Sequence, residues 1–263
     1  MEEKKRNFKK LKVLGAILVV VLVIGFFVWE VYYSNTFVLR SIKVRFVKTD
    51  GEFKAILPPL TREDILKLTG LKGGENLFKI SLSKIKRQIL KNPEVERVTL
   101  VRHLPDTLEV IVKKRTPVAM IELRRKKYLV DPSGIVICEV KNGESIYLPL
   151  LVVKNQAYEK RVLKLLRWLQ KNKRYLPVLE NLSKVEVNKR NLIFITESGI
   201  KIYFPLDSKK SWKYFYKNLD RIMSYVYSHD LDKRVRIIRL DYPLGRAMIK
   251  LINQEKESKT QEG

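Results

Sequence analysis

The hydrophobic residues of the chain form one long uncharged run and many shorter periodic stretches. Residues 13–29, VLGAILVVVLVIGFFVW, contain no charged side chain, and the four residues that follow extend the run towards the roughly 20 residues that cross a bilayer. Trp29, Tyr32 and Tyr33 predict an aromatic belt at one membrane interface. The pattern therefore predicts a transmembrane helix over residues 13–33.

The flanking charges predict the orientation of this helix. Residues 1–12 contain six Lys or Arg, and such basic flanks stay in the cytoplasm under the positive-inside rule. Residues 34 onward would then be extracytoplasmic, because large domains translocate largely regardless of their charge. A cleaved signal peptide is the alternative, but WEVYYSNTF offers no small-x-small cleavage site.

After the membrane segment, the periodicity predicts a β-α-α-β-β order. The predicted elements are a strand within residues 37–47, a linker at 48–60, helices within 62–69 and 82–92, and strands at 95–102 and 107–114. Thr61 is the expected N-cap of the first helix and Gly70 its end, while Ser81 or Ser83 is expected to cap the second.

The last two of these strands are predicted to pair as a hairpin. Leu108, Val110 and Val112 alternate with polar residues, which is typical of a half-buried strand. Pro105 followed by Asp106 favours a tight turn before it. Arg102 and Arg115 are interpreted as surface charges rather than anion ligands, because no glycine-rich phosphate loop lies near them in the sequence.

The second half of the chain predicts a mixed β domain with two helices. Strands are expected at 128–130, 135–137, 184–188, 191–196 and 200–204, helices at 156–171 and 208–227, and two final strands within 234–252. The expected buried side of the second helix consists of Trp212, Phe215, Leu219, Ile222, Met223 and Val226.

Both helices leave an alternative open. The first is basic opposite its apolar stripe and could lie on an anionic membrane surface, although a core-facing helix is favoured. In the second, Tyr214, Tyr216, Tyr225 and Tyr227 interleave with lysines as in a nucleic-acid platform, although covering the sheet is favoured.

Composition limits the chemistry that this chain can perform. Its 263 residues are 45% hydrophobic and carry a formal charge of +26, which suits nucleic acid, an anionic membrane or an acidic protein. Cys138, His103 and His229 are too few for a disulfide or a Cys/His metal site. Ser198 has no nucleophile-elbow context. We therefore predict no enzymatic activity, no metal and no cofactor.

The motifs resemble those of the FtsQ/DivIB family of bacterial cell-division proteins. They are GLKGGENLF at 70–78, NPEVERVTLVRHLPDTLEVIVKKRTPVA at 92–119 and YLVDPSGIVI at 128–137, in that order after a single N-terminal anchor. The resemblance implies an α+β fold with a transmembrane helix, a β-α-α-β-β POTRA domain and a mixed β domain. The implied segments are a cytoplasmic basic tail at 1–12, the helix at 13–33, a POTRA domain at 36–115, a β domain at 116–252 and a disordered tail at 253–263.

The resemblance also implies partners and a site for them. In this family the terminal strand of the β domain lies at a sheet edge and receives a segment of FtsB, which is paired with FtsL. The matching positions here are Tyr242, Leu244, Gly245, Arg246, Ala247, Met248, Ile249 and Lys250. Asp241 replaces an arginine of the family pattern, and Arg239 lies two residues earlier. The plain alternative is a last strand that only closes the sheet.

The expected function is a non-enzymatic scaffold of the division complex that links early and late division proteins, located at the septum in the inner membrane with a cytoplasmic N-terminus. Other partners could bind through the POTRA domain. No nucleic acid is expected as a partner, because the basic domain would face away from the cytoplasm. The alternatives are a POTRA-containing protein of outer-membrane assembly or secretion, and a membrane-anchored protein that binds nucleic acid or cell wall.

Overall fold

A computed structural model describes residues 2–33, 35–47, 60–141, 146–242 and 246–251, with side chains from residue 14 onward. Most of the predicted linker at 48–60, the turn at 243–245 and the predicted tail at 253–263 lie outside these residues. The described residues form two compact units that divide between Lys114 and Arg115. We call them the N-terminal unit and the C-terminal unit.

The N-terminal unit begins with the apolar helix and continues in the predicted β-α-α-β-β order. Its elements are α1 (Glu2–Tyr33), β1 (Ser41–Phe46), α2 (Arg62–Thr69), α3 (Leu82–Ile89), β2 (Val95–His103) and β3 (Thr107–Lys114). Within α1, the segment Leu14–Tyr33 is long and apolar enough to cross a membrane.

The three strands form one sheet in the order β1-β3-β2, with β1 parallel and β2 antiparallel to β3. The predicted hairpin is confirmed, and Leu108, Val110 and Val112 are fully buried. They share a core with α2 and α3, whose buried residues include Ile65, Ile85 and Ile89. One face of the sheet is thus covered by the two helices, as the strand alternation requires.

The caps of the two short helices differ. The hydroxyl of Thr61 accepts from the Asp64 amide at 3.1 Å while the Asp64 carboxylate accepts from the Thr61 amide at 2.9 Å, which completes a capping box. Gly70 ends the helix at φ 66°, a left-handed conformation that favours glycine. Ser81 occupies the N-cap position of α3, but its side chain makes no capping hydrogen bond; its Oγ lies 3.3 Å from Ser83 Oγ instead.

The interpretation of Arg102 as a surface charge is wrong. Its guanidinium is part-buried and donates to the backbone carbonyls of Leu77 and Ile80, at 2.9 and 2.8 Å. Arginine suits this position because its planar fork can satisfy two separate acceptors at once. Arg102 therefore fastens the loop before α3 to strand β2.

The C-terminal unit is a nine-stranded mixed sheet with two helices. Its elements are β4 (Ala119–Leu123), β5 (Lys126–Val130), β6 (Val136–Glu139), β7 (Leu150–Val153), α4 (Glu159–Lys171), β8 (Leu182–Val187), β9 (Asn191–Thr196), β10 (Lys201–Pro205), α5 (Trp212–Ser228), β11 (Val235–Arg239) and β12 (Met248–Leu251). The strand order is β12-β11-β10-β9-β8-β7-β4-β5-β6. The expectation of an α+β fold is therefore confirmed.

Helices α4 and α5 bury their apolar faces in the core of this unit. Val162, Leu166 and Leu169 of α4 are fully buried or nearly so, which supports the core-facing interpretation over a membrane-surface helix. In α5, Tyr216 is fully buried and stacks on Phe204, with ring centroids 6.0 Å apart. Tyr216 is therefore a core residue and not a member of an exposed aromatic platform.

Candidate partner-binding edge

The predicted final hairpin is present, and it places β12 at one end of the nine-stranded sheet. Strand β12 pairs antiparallel with β11, and its register matches Met248 with Arg239 and Ile249 with Ile238. Among the described residues, no strand pairs with the other side of β12. An edge strand presents backbone N–H and C=O groups that a further strand can satisfy.

Two apolar side chains of β12 lie on the same face of the sheet as the core but remain exposed to solvent. Ile249 lies opposite Ile238, and Leu251 lies opposite Val235, both of which are buried core residues. Directly paired residues project from the same face of a sheet, so Ile249 and Leu251 extend the core face to the edge. They are nevertheless 43% and 41% exposed, so the edge carries accessible apolar surface.

An ion pair lies at the end of β11, where the connection to β12 begins. Arg239 donates from Nε and Nη2 to the two carboxylate oxygens of Asp241, at 2.9 and 2.5 Å, and Asn191 donates to the same carboxylate at 3.0 Å. The hydrogen bonds from Arg239 lower the pKa of Asp241. Asp241 therefore stays ionised at neutral pH, and it fixes the direction of the Arg239 side chain.

Arg239 also lies close to two tyrosine rings. Its guanidinium carbon is 5.1 Å from the Tyr203 ring centroid and 5.8 Å from that of Tyr242, distances at which a cation is attracted to a ring face. The Tyr242 hydroxyl lies 3.5 Å from the Met248 sulfur. Tyr242 thus connects the ion pair to the first residue of β12.

The eight predicted site residues fall into three groups. Tyr242, Met248, Ile249 and Lys250 lie together at this edge, and Arg246 and Ala247 are exposed residues that lead into β12. Leu244 and Gly245 lie outside the described residues.

Sequence reasoning did not include three residues of this edge. Leu251 continues the alternation begun at Ile249, so the period of the strand could have identified it. Tyr203 and Asn191 come from strands far away in the sequence, and no local pattern indicates them.

The edge is basic overall. Arg236, Arg246 and Lys250 are exposed on or beside the hairpin, and Arg239 is half-buried. Asp241, an acid among the described residues of this region, is already paired with Arg239. A cationic edge favours an acidic partner, chiefly by accelerating its association.

The two histidines of the chain each contact neighbouring side chains within their own unit. His103 Nε2 lies 2.9 Å from Glu109 Oε2 in the N-terminal unit, whereas His229 contacts Tyr225 and Ser228 in the C-terminal unit. Across the part of the chain that the structure describes, no group of three or more His, Cys, Asp or Glu side chains could hold a metal.

The two units and the apolar helix define a class of protein, one that combines an N-terminal POTRA fold with a C-terminal mixed β domain. Residues 59–115 match the family model of the FtsQ-type POTRA domain. Residues 119–238 match the model of the C-terminal region of cell division protein FtsQ/DivIB. The chain belongs to the FtsQ/DivIB family. The second model ends at Ile238, before most of the candidate edge.

Several proteins similar in sequence to this chain are named FtsQ or DivIB. Cell division protein FtsQ of Geotalea daltonii is 33% identical over 146 residues, which cover 54% of this chain and 49% of the relative. FtsQ of Geobacter sp. strain M21 is 30% identical over 49% of this chain and 44% of the relative. DivIB of Clostridium acetobutylicum is 26% identical over 40% of each chain. The matched regions therefore span about half or less of these relatives.

Proposed function

We propose that this protein is a non-enzymatic scaffold of the bacterial division machinery. Helix α1 anchors it in the plasma membrane, and the edge strand β12 receives an extended segment of an FtsB-type partner that is itself paired with an FtsL-type protein. The proposal rests chiefly on one observation: the edge strand exposes Ile249 and Leu251 on the same face as the buried Ile238 and Val235. An incoming strand would cover this apolar surface and satisfy the outward backbone groups.

The membrane topology of the proposal is single-pass with a cytoplasmic N-terminus. It is supported by the six basic residues before the apolar span Leu14–Tyr33 and by the positive-inside rule. Protease added to the outside of intact spheroplasts should degrade the chain beyond residue 33 and leave a short membrane-bound fragment. Protection of the whole chain would contradict this topology.

Partner capture tests the scaffold function. The full chain, co-expressed with FtsB-type and FtsL-type proteins of the same bacterium, should retain both through affinity purification in detergent, and a fluorescent fusion should concentrate at the septum. A chain ending at Leu251 should still retain them, since β12 is intact. A chain ending at Tyr242 should lose them. Equal capture by the two truncated chains would contradict the assignment of the edge.

A further inference from the structure

The end of the apolar helix is fastened to the loop that precedes α3. Asn76 Nδ2 donates to the backbone carbonyl of Val31 at 2.9 Å. The rings of Tyr32 and Phe78 lie 6.4 Å apart. Asn76 and Phe78 both belong to this loop, so the last turn of the helix is in direct contact with the folded part of the N-terminal unit.

Two more contacts strengthen this junction. The Lys79 ammonium lies 4.5 Å from the centroid of the Tyr33 ring, within the range of a cation–π interaction. The Leu77 amide donates to the Phe37 carbonyl at 2.8 Å, which pairs the loop with the segment between helix and sheet. The last turn of α1 is thus packed against the rest of the N-terminal unit, and the two are not joined only by a flexible linker.

The topology brings a second loop to the same end of the sheet. Thr107 is paired with both Ser41 at the start of β1 and His103 at the end of β2. The β2–β3 turn therefore lies beside the point where the chain enters the sheet from the membrane helix, and the Asp106 carbonyl accepts from the Ser41 amide at 3.3 Å. Leu104 in this turn is 57% exposed.

Basic residues lie in the segments that carry these apolar groups. Arg40, Lys72 and Lys79 are exposed there, and Glu75 is an exposed acid in the same loop. Backbone hydrogen bonds join these segments, since Arg40 donates to Asp106 and Leu39 donates to Glu75. The carboxylate of Asp106 is half-buried and accepts from the Thr107 hydroxyl. Lysine side chains can lay their stems on apolar surface while the ammonium reaches a phosphate, which suits a mixture of rings and cations at a membrane interface.

We infer that this surface, formed by Arg40, Lys72, Phe78, Lys79 and Leu104, docks on anionic phospholipid of the membrane that α1 spans. The inference rests on the proposed anchoring. The 20 residues of the span measure about 30 Å, the thickness of the hydrocarbon core. The helix end, and the loop fastened to it, therefore lie at the depth of the headgroups, where aromatic and basic side chains are favoured.

Site-directed quenching in nanodiscs tests the inference on the full chain. In a Cys138→Ser background, a bimane label is attached to a cysteine at Leu104 or, as a control, at Lys91. Lys91 is exposed and precedes β2, whose nine residues place it about 27 Å from the β2–β3 turn. Discs of phosphatidylcholine, with and without phosphatidylglycerol, carry a lipid with a nitroxide on its headgroup.

The label at residue 104 should be quenched several-fold more strongly than the label at residue 91, and phosphatidylglycerol should increase the difference. Lys72→Glu combined with Lys79→Glu should remove this increase. Lys164→Glu combined with Lys171→Glu on α4 changes the net charge equally and should retain it. Circular dichroism verifies that every variant is folded.

Two results would contradict different parts of the proposal, the docking surface or the membrane anchor. Equal quenching of the two labels in protein-loaded discs would overturn the docking surface while leaving the anchor intact. Failure of the chain to enter discs at all would overturn the anchoring, and with it the proposed function.

Discussion

Arg115 Nη1 lies 2.6 Å from Asp131 Oδ2 in an ion pair whose side chains are only 11% and 4% exposed. The other carboxylate oxygen accepts from the amides of Ser133 and Ile135, at 2.9 and 2.8 Å. This carboxylate therefore joins the β5–β6 turn to the residues that lead into β4. Arg115, expected to be a surface charge, is instead a part-buried structural residue.

Removing one partner of this pair should be costly. Asp131→Ala should lower the free energy of unfolding by about 3–5 kcal/mol, because it removes a buried carboxylate that accepts from Arg115 and from the amides of Ser133 and Ile135. Lys126→Ala removes an exposed ion pair with Glu139 and should cost less than about 1 kcal/mol. Urea unfolding of both variants compares them. Similar losses would contradict the assignment of Asp131 as a buried partner.

The two faces of the hairpin in the N-terminal unit should respond differently to a new carboxylate. Val110 is fully buried, so Val110→Asp should destabilise the unit by about 3 kcal/mol or more. Thr99 is exposed on the neighbouring strand, so Thr99→Asp should cost no more than about 0.5 kcal/mol. Thermal unfolding followed by circular dichroism measures both. Equal midpoints would mean that the register of the hairpin is wrong.

The ion pair at the candidate edge predicts a dependence of stability on pH. The pKa of Asp241 is below its ordinary value of 3.8 because of its hydrogen bonds from Arg239. A depressed folded-state pKa contributes stability that is present above pH 3.8 and is lost as the pH falls through the folded value. Asp241→Asn should therefore have a lower free energy of unfolding than the parent at pH 6, and this difference should become smaller below pH 3.8. Urea unfolding of both proteins across this pH range measures the difference. A difference that does not change with pH would contradict the prediction.

The sequence predicted those elements whose signals are local. The Thr61 cap and Gly70 end of α2, and the alternation in β3, depend on residues close together in the chain, and each is confirmed. In α5 the predicted buried side was correct for four of its six residues, but it missed Tyr216, and Phe215 and Ile222 are only partly buried against the core. The buried stripe is Trp212, Tyr216, Leu219, Met223 and Val226, which follows the helical period better than a stripe through Phe215 does.

Other features depend on contacts that no local pattern encodes. The β4–β5 turn was missed because Arg124 and Arg125 adopt positive φ, 52° and 64°, where Gly or Asn would have been the signal. Arg102 finds its acceptors 22 and 25 residues earlier in the chain. The order of the strands around β12 could not be predicted from the sequence either, because β11 pairs in parallel with β10 across the intervening helix α5.

The exposed side chain of Ile249 provides a test of partner binding that does not depend on the backbone. Ile249→Asp should change the stability of the free protein by less than about 1 kcal/mol, because the side chain is 43% exposed. It should nevertheless weaken binding of an FtsB-type partner, whose segment would bury the new charge. Ile238→Asp, at the paired buried position, should unfold the C-terminal unit. Unchanged partner affinity in Ile249→Asp would exclude this face from the interface.

The central claim is that the backbone of β12 accepts a partner strand, and proline substitutions test it most directly. The N–H groups of successive strand residues point to opposite sides, so one of Ile249→Pro and Lys250→Pro removes an outward donor while the other disturbs the pairing with β11. Val136→Pro, in the strand at the opposite end of the sheet, is the control. Val136 and Met248 are both 36% exposed, so the control substitution is made at a position of matching exposure.

The decisive measurement is the affinity of each folded variant for a peptide of the FtsB-type partner, with circular dichroism on the same samples. The outward-facing proline should weaken binding by at least about tenfold, or 1.4 kcal/mol, and more than Ile249→Ala or Lys250→Ala does. Val136→Pro should bind like the parent. Parental affinity in both β12 proline variants, with the fold intact, would contradict strand addition at this edge.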